Sequence, residues 1–388
     1  MKVLHVIPAV ALRYGGASRS VIEMCRALRE AGSETLIATT DADGHERLNV
    51  ESGKPVLYEG QPTIFFPRQF SEAFKYSRPL AVWLRGHIGD FDVIHIHAVF
   101  SHACIATANA CRKKGVPYIV HPIGTLDPWS LKQKRFRKKL FWHLAVKKML
   151  AGAAAIHYTA VPEQKLAEEA LGINRGVVIP LGVETNSACQ TETTGNPGEL
   201  HSYLNGGPFV LMLSRLHRKK GLELLLGAFL SISKRSEFKN WRLVLAGDGE
   251  PQYVNSLRRL IEKEGGSANV VFTGWIVGTE KQTALQQASL LALTSYQENF
   301  GLCVVEALAC GTPVIVSPHV NLAPQILQAG AGWVAPLERT SLERTLMEAM
   351  QNAHERSLRG AAGRELVRLH FTWSAIAKQL VAVYNSVV

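Results

Sequence analysis

Two glutamates, Glu298 and Glu306, stand with seven residues between them in a stretch that runs from Ser295 to Gly311. A carboxylate accepts hydrogen bonds from vicinal hydroxyls, so each can hold a diol. Between them Asn299, Phe300, Gly301 and Leu302 lead from a polar turn into a compact apolar segment, 302–310, which reads as a short buried helix. Unsatisfied amide N–H groups and the positive end of the helix dipole make such a start a site for phosphate. Gly301 lets the anion approach the backbone closely. Hydroxyl acceptors on both sides of an anion site suit a nucleotide-sugar, with hydroxyls at each end and a diphosphate between. The plainer reading makes Glu298 a helix-start residue and Glu306 a solvated one. Glu306, however, lies within Val304-Val305-Glu306-Ala307-Leu308, where a carboxylate is costly without a partner.

A second constellation is cationic. Ser214-Arg215-Leu216-His217-Arg218-Lys219-Lys220-Gly221 follows the apolar run 209–213 and precedes an amphipathic helix, 222–232. Arg215 offers a planar fork and Lys220 a compact charge, a suitable pair for a diphosphate. Two further turns, Gly247-Asp248 after the strand 241–246 and Gly274-Trp275-Ile276 after 270–273, are placed to approach a nucleobase. Both are also ordinary β-to-α turns, and Asp248 can serve as a cap.

In the N-terminal half, Gly15 and Gly16 precede a helix expected to start at Ser18 or Arg19. The pair suits a phosphate, and a tight turn explains it equally well; the order G-x-G-x-x-G is absent. His95 and His97 alternate on a β-branched strand, 92–97, with His102 nearby. No cysteine or carboxylate completes a metal set, so these are expected as polar groups at the crevice outside the strand ends. His121 follows the strand 117–120 and is either a site residue or a hydrogen-bonded loop residue.

At Glu298 through Val314 the chain resembles the retaining glycosyltransferases of family 4, whose pattern E-x-F-G-x-x-x-x-E-A-x-A-x-G-x-P-V it fits at each fixed position. The family's R-x-x-x-K-K-G motif matches Arg215 through Gly221. The resemblance implies a GT-B fold and transfer of a sugar from a nucleotide-diphosphate donor with retained anomeric configuration. It assigns Arg215 and Lys220 to the phosphates, Glu298 to the donor sugar and Glu306 to the ribose. The base falls near Gly247, Asp248, Trp275 and Ile276, and the Gly15-Gly16 loop faces donor phosphates and acceptor. A same-face displacement, in which a phosphate oxygen takes the acceptor's proton, is the implied mechanism, and neither glutamate is assigned as a nucleophile. His121 resembles an acceptor-side residue, although the family's His or Arg directly before the glycine is here Ile123. No cofactor is implied, and no Asp-x-Asp metal motif appears, so metal-independent chemistry is expected.

These groups require two parallel-sheet frames. Strands and helices alternate twice, which is α/β organisation with two Rossmann-like domains facing a cleft. We expect an acceptor-side domain at 1–185, a linker at 186–207 rich in Thr, Asn, Gly, Pro and Glu, and a donor-binding domain at 208–371. The helix 374–388 resembles the tail that crosses back to the first domain in this fold. Residues 40–70 read as mostly loop and edge structure.

At 388 residues, with 47% hydrophobic and 19% charged content, the chain fits a soluble α/β protein of two cores. No apolar run is long enough for a transmembrane helix. Six scattered cysteines without metal spacing suit reduced thiols in a cytoplasmic protein. The net charge of +11 asks for an anionic partner. Part of it lies in 131–150, where Lys132, Lys134, Arg135, Arg137, Lys138, Lys139, Lys147 and Lys148 meet no acid and flank Phe141 and Trp142. This suits an anionic membrane surface, hence a peripheral location at the inner face of the cytoplasmic membrane and a glycan or lipid-linked acceptor. A solvated basic face accounts for it equally, and nucleic acid fits poorly because no recognition motif accompanies the charge. The alternatives to a transferase are a nucleotide-sugar epimerase of the same architecture and a non-catalytic nucleotide-sugar-binding scaffold.

Overall fold

The computed structural model describes residues 1–126, 142–184, 207–266 and 268–388. The chain forms two compact units, one of Met1–Gly182 with Trp373–Val388 and one of Val183–Thr372. The expected linker 186–207 lies, apart from Gly207, outside the described residues. So does most of the basic segment 131–150.

The first unit comprises β1 (Lys2–Ala9), α1 (Gly16–Glu30), β2 (Glu34–Thr40), the short pair β3 (Ala42–Asp43) and β4 (Glu46–Arg47), β5 (Pro55–Tyr58), β6 (Gln61–Phe66), α2 (Arg78–His87), β7 (Val93–His97), α3 (His102–Lys114), β8 (Tyr118–His121), α4 (Lys147–Ala151), β9 (Ala155–Tyr158), α5 (Val161–Leu171) and β10 (Gly176–Val178). Eight strands form one sheet in the order β10-β9-β8-β7-β1-β2-β6-β5, parallel except for β5. Strands buried on both faces read as near-continuous apolar runs, as Val3-Leu4 and Val6-Ile7 do in β1.

Three local expectations change. The helix α1 begins at Gly16, because Gly15 turns the chain and Gly16-Ala17 fit the first turn. The stretch 40–70 holds an interior strand, β6, whose Ile64, Phe65 and Phe66 are buried beside β2. Pro62 hides it in the sequence, since proline usually marks an edge or a break. β5 folds back on β6 through Glu59 and Gly60, both with positive φ (49° and 73°), as a two-residue hairpin turn demands. The sequence reading does not assign α2, which starts where the Ser77 hydroxyl accepts from the Leu80 N–H.

The second unit comprises β11 (Phe209–Leu213), α6 (Leu222–Ser233), β12 (Arg242–Ala246), α7 (Pro251–Glu264), β13 (Val270–Gly274), α8 (Gly278–Gln287), β14 (Leu290–Leu293), α9 (Leu302–Cys310), β15 (Val314–Val316), α10 (Ala323–Gln328), β16 (Gly332–Val334), α11 (Arg339–Gln351) and α12 (Ala353–His370). Its six strands are all parallel, in the order β13-β12-β11-β14-β15-β16. The chain moves outward from β11 in one direction and then restarts from β14 in the other. The strand order therefore switches between β11 and β14, and the loops leaving those two strands open a crevice at their C-terminal ends.

The last helix, α13 (Trp373–Val387), belongs to the first unit. It starts one residue earlier than expected, at Trp373, whose indole donates to the Glu23 carboxylate of α1 at 2.9 Å.

Candidate functional site

The switch point of the second sheet carries the two constellations singled out in the sequence. After β11 the chain runs through Arg215 to Lys220 and into α6; after β14 it runs through Glu298 to Gly301 and into α9. The Lys220 ammonium pairs with the Glu298 carboxylate, which the Ser295 hydroxyl also reaches at 3.3 Å. Backbone bonds fix the loops to each other. Tyr296 N–H donates to Lys219 C=O at 2.8 Å, and the Thr294 hydroxyl donates to Lys220 C=O at 3.1 Å. Gly221 makes this closeness possible, since a Cβ there would lie 2.2 Å from the Thr294 carbonyl oxygen. Glu298 is held further by its N–H to His319 C=O at 2.9 Å.

Gly301 precedes α9 in the left-handed conformation (φ 78°), which turns the polar loop into the helix without a Cβ penalty. The first turn of α9, from Leu302, thus opens beside Glu298, with amide groups and dipole directed at the loop. Asn299 belongs to the same turn. The Phe300 ring is buried edge-on against Phe371, with centroids 5.9 Å apart, and so serves as the anchor of that turn.

The remaining second-unit candidates lie at neighbouring strand ends. Leu216 N–H donates to Asp248 C=O at 2.8 Å, and Gly247 N–H to Gly274 C=O at 2.7 Å, tying the turns after β11, β12 and β13 into one rim. Asp248 accepts from the Gly249 N–H at 2.7 Å, and in that sense it caps its own turn. Trp275 exposes about half its surface (49%), whereas Ile276 is buried.

Glu306 has the partner its apolar surroundings require. Lys281, from α8, donates to its carboxylate at 2.6 Å, with both side chains less than one-fifth exposed. Sequence reasoning missed Lys281. Nothing in Gly278-Thr279-Glu280-Lys281 marks it, and the one available signal was the need of Glu306 for a cation. Cys303 lies between the two glutamates, and burial pushes its thiol up to about 12, so it is no thiolate nucleophile at neutral pH. His217 is held below the usual imidazole range by burial and by the cations of Arg215, Lys219 and Lys220.

In the first unit, Gly15 caps α1 directly and Gly16 is its first residue. His121 is almost fully enclosed (2% exposed), and so are His95 and His97, which correspondingly do not line a crevice. His102 belongs to no cluster of possible metal ligands among the described residues; its Nδ1 accepts from the Ser77 N–H at 3.2 Å. The loop beyond His121 is pinned from below: the buried Glu163 carboxylate accepts from Gly124 N–H at 3.1 Å and from Thr159 N–H and hydroxyl, each at 2.7 Å. Ile123, where the family pattern has His or Arg, adopts φ 53°, a strained conformation for a branched residue.

Residues 14–187 match the family described as Glycosyltransferase Family 4, and residues 202–366 match Glycosyl transferases group 1. The chain belongs to the family 4 glycosyltransferases. The enzyme is 27% identical over 394 residues to the phosphatidyl-myo-inositol mannosyltransferase of Mycobacterium leprae (strain TN), covering 96% of this chain and 93% of that protein. Over 182 residues it is 29% identical to the mannosylfructose-phosphate synthase of Agrobacterium fabrum, 46% of this chain and 40% of that one. Its fold is GT-B: the crystal structure of Anabaena HepE in complex with UDP and glucose superposes with a TM-score of 0.78 at 20% identity, covering 100% of both chains. The sucrose-phosphate synthase of Thermosynechococcus elongatus gives 0.78 at 20% identity, covering 100% of this chain and 98% of that one.

Proposed function

We propose that this glycosyltransferase moves a hexosyl group, with retention of configuration and without a catalytic metal, from a nucleotide-diphosphate-sugar to a glycan or lipid-linked acceptor of the cell envelope. The observation that carries the reading is the meeting of Lys220, Glu298 and the first turn of α9 at the strand-order switch of the second sheet. Bond cleavage leaves negative charge on the departing diphosphate and positive character on the sugar. Arg215, Lys220 and the α9 amides stabilise the first, and preorganised donors of this kind are worth a large share of a catalysed barrier. The Lys220–Glu298 pair holds each group in place before the donor arrives. Donor binding then gives Lys220 a phosphate and Glu298 a sugar hydroxyl. Glu306 takes the ribose, with Lys281 compensating its charge. The turns at Gly247-Asp248 and Trp275-Ile276 take the base. Gly15-Gly16 and the loop after His121 serve the acceptor side, His121 from an enclosed position that leaves it no direct contact.

The relatives' names support the acceptor class: one matched along nearly its whole length is named for phosphatidyl-myo-inositol and mannosyl transfer. No helix among the described residues is long and apolar enough to cross a membrane. Peripheral attachment through the basic stretch 131–150 is our reading of its composition. Replacing Arg135, Arg137, Lys138 and Lys139 with Gln is expected to reduce sedimentation with anionic liposomes several-fold, and unchanged sedimentation would discard that patch as an anchor.

The deciding experiment screens nucleotide-diphosphate-sugars for thermal stabilisation and for hydrolysis, then follows the anomeric configuration of the product by NMR. A stabilising donor with a retained product supports the proposal. An epimerised donor in the absence of acceptor, or an inverted product, refutes it.

A further inference from the structure

Four adjacent parallel strands of the first unit turn histidine rings to one face of the sheet: His5 from β1, His95 and His97 from β7, His121 from β8 and His157 from β9. The register aligns them, with His5 opposite His95 and His97 opposite His121. All five are buried. So many imidazoles in one dry patch have few acceptors to satisfy them, and their pairing fixes which nitrogens are bare.

His157 Nε2 meets the Ile179 carbonyl at 2.7 Å. A carbonyl only accepts, so Nε2 carries the proton and Nδ1 is bare. That bare Nδ1 faces His95 Nε2 at 3.3 Å. The other nitrogen of His95 is bound to the Tyr384 hydroxyl of α13 at 2.8 Å. His121 Nδ1 faces His97 Nδ1 at 3.3 Å, and its Nε2 is buried with no hydrogen-bond partner among the described residues. A buried orphan nitrogen inside a shell of nitrogens asks for something to bind.

We propose that His95, His121 and His157 form a three-nitrogen site for a divalent transition cation of the zinc type, through His95 Nε2, His157 Nδ1 and His121 Nε2. One nitrogen from each of the three lies within 4.8 Å of the other two. Tetrahedral zinc with ordinary Zn–N bonds places neighbouring ligand nitrogens about 3.3 Å apart, the separation His95 and His157 already have. The His121 and His157 rings stack 4.4 Å apart at 28°, and the adjustment that closes the set falls to His121, whose Nε2 no other described group holds. Each ligand's second nitrogen is engaged by a group that orients the ring: Ile179 C=O, Tyr384 hydroxyl and His97. His97 is the orienting member, because its Nε2 is also committed, to His5 Nδ1 at 3.0 Å.

The site is structural. It ties β7, β8 and β9 together and, through Tyr384, secures α13. It involves no residue of the second unit, so it leaves the donor chemistry proposed above untouched. An enclosed site loads as the chain folds, so the test uses protein expressed in zinc- or cobalt-supplemented minimal medium. Wild-type protein should retain about one metal per chain through native dialysis against chelator, and the cobalt form, with a water completing the three-histidine set, should show the visible bands of four-coordinate Co(II). His121→Gln and His157→Gln should each lose the metal and the bands, whereas the exposed His45→Gln control keeps both. Tyr384→Phe leaves all three ligands in place and removes only the hydroxyl that orients His95, and should weaken retention about tenfold or more. If His121→Gln does not fold, wild-type stoichiometry and the cobalt spectrum decide alone. Substoichiometric metal, no cobalt bands and a melting temperature unmoved by metal during refolding would overturn the proposal and leave a neutral hydrogen-bonded network only.

Discussion

Glu298 and Lys220 are partners before they meet any substrate, and this fixes the signature of their removal. In Glu298→Gln the carboxylate is lost while Lys220 is released toward phosphate. Turnover is expected to fall roughly 100-fold or more, with nucleoside-diphosphate affinity unchanged or tighter by calorimetry. Lys220→Ala should weaken both. A variant set in which both changes behave alike would contradict the division of labour between them. At the second pair, Lys281→Ala leaves Glu306 in an apolar helix without its cation. Partial exposure softens the cost, and we expect a loss of about 1–2 kcal/mol in urea unfolding of the second unit, with weakened nucleotide binding. Cys303, with its thiol at about 12, should resist iodoacetamide at pH 8 in the folded enzyme and react after denaturation.

At the scale of elements, the site depends on two loops lying against each other, and Gly221 marks their closest approach. Gly221→Ala would force a Cβ to 2.2 Å from the Thr294 carbonyl at a positive φ, so the loops must part. The expected penalty is roughly 2–3 kcal/mol in stability, with donor binding lost disproportionately. Such elements were legible in the sequence where a local pattern is complete: α9 lies between its glycines as expected, and the cationic loop lies between β11 and α6. The strand β6 was obscured because Pro62 outweighed a short apolar run. The partners were not legible at all. Lys281 meets Glu306 from 25 residues away, and Glu163 holds Gly124 from 39. Likewise five histidines on four strands look like unrelated alternations until register superposes them. Patterns report single elements, whereas pairing across a sheet depends on tertiary order.

For the molecule as a whole, the buried imidazoles dictate behaviour in acid. Burial lowers His5 to about 3 and His157 to about 4, and lowers His95, His97 and His121 as well. The unfolded chain takes up protons near pH 6.5, whereas the folded unit does not until far lower. Stability is therefore complete above about pH 6.5 and falls as pH drops toward the folded values. Each histidine contributes up to about 1.4 kcal/mol per pH unit across that window. Circular dichroism of protein refolded without metal should show a steep acid transition between about pH 4 and 6, assignable to the first unit. A melting temperature unchanged from about pH 7 to pH 4 would contradict this, since folded and unfolded chains would then take up protons alike.

One consequence concerns biosynthesis. The first unit takes β1 to β10 from residues 2–178, yet α13, which seats Trp373 on Glu23 and Tyr384 on His95, is translated only after all of β11 to α12. A nascent enzyme emerging from the ribosome must keep the histidine face waiting, uncovered, while nearly two hundred further residues are made. The second unit, by contrast, has every strand and helix of its own sheet in hand before that closing segment appears. Order of emergence and order of completion are thus reversed: the part begun first is the part finished last.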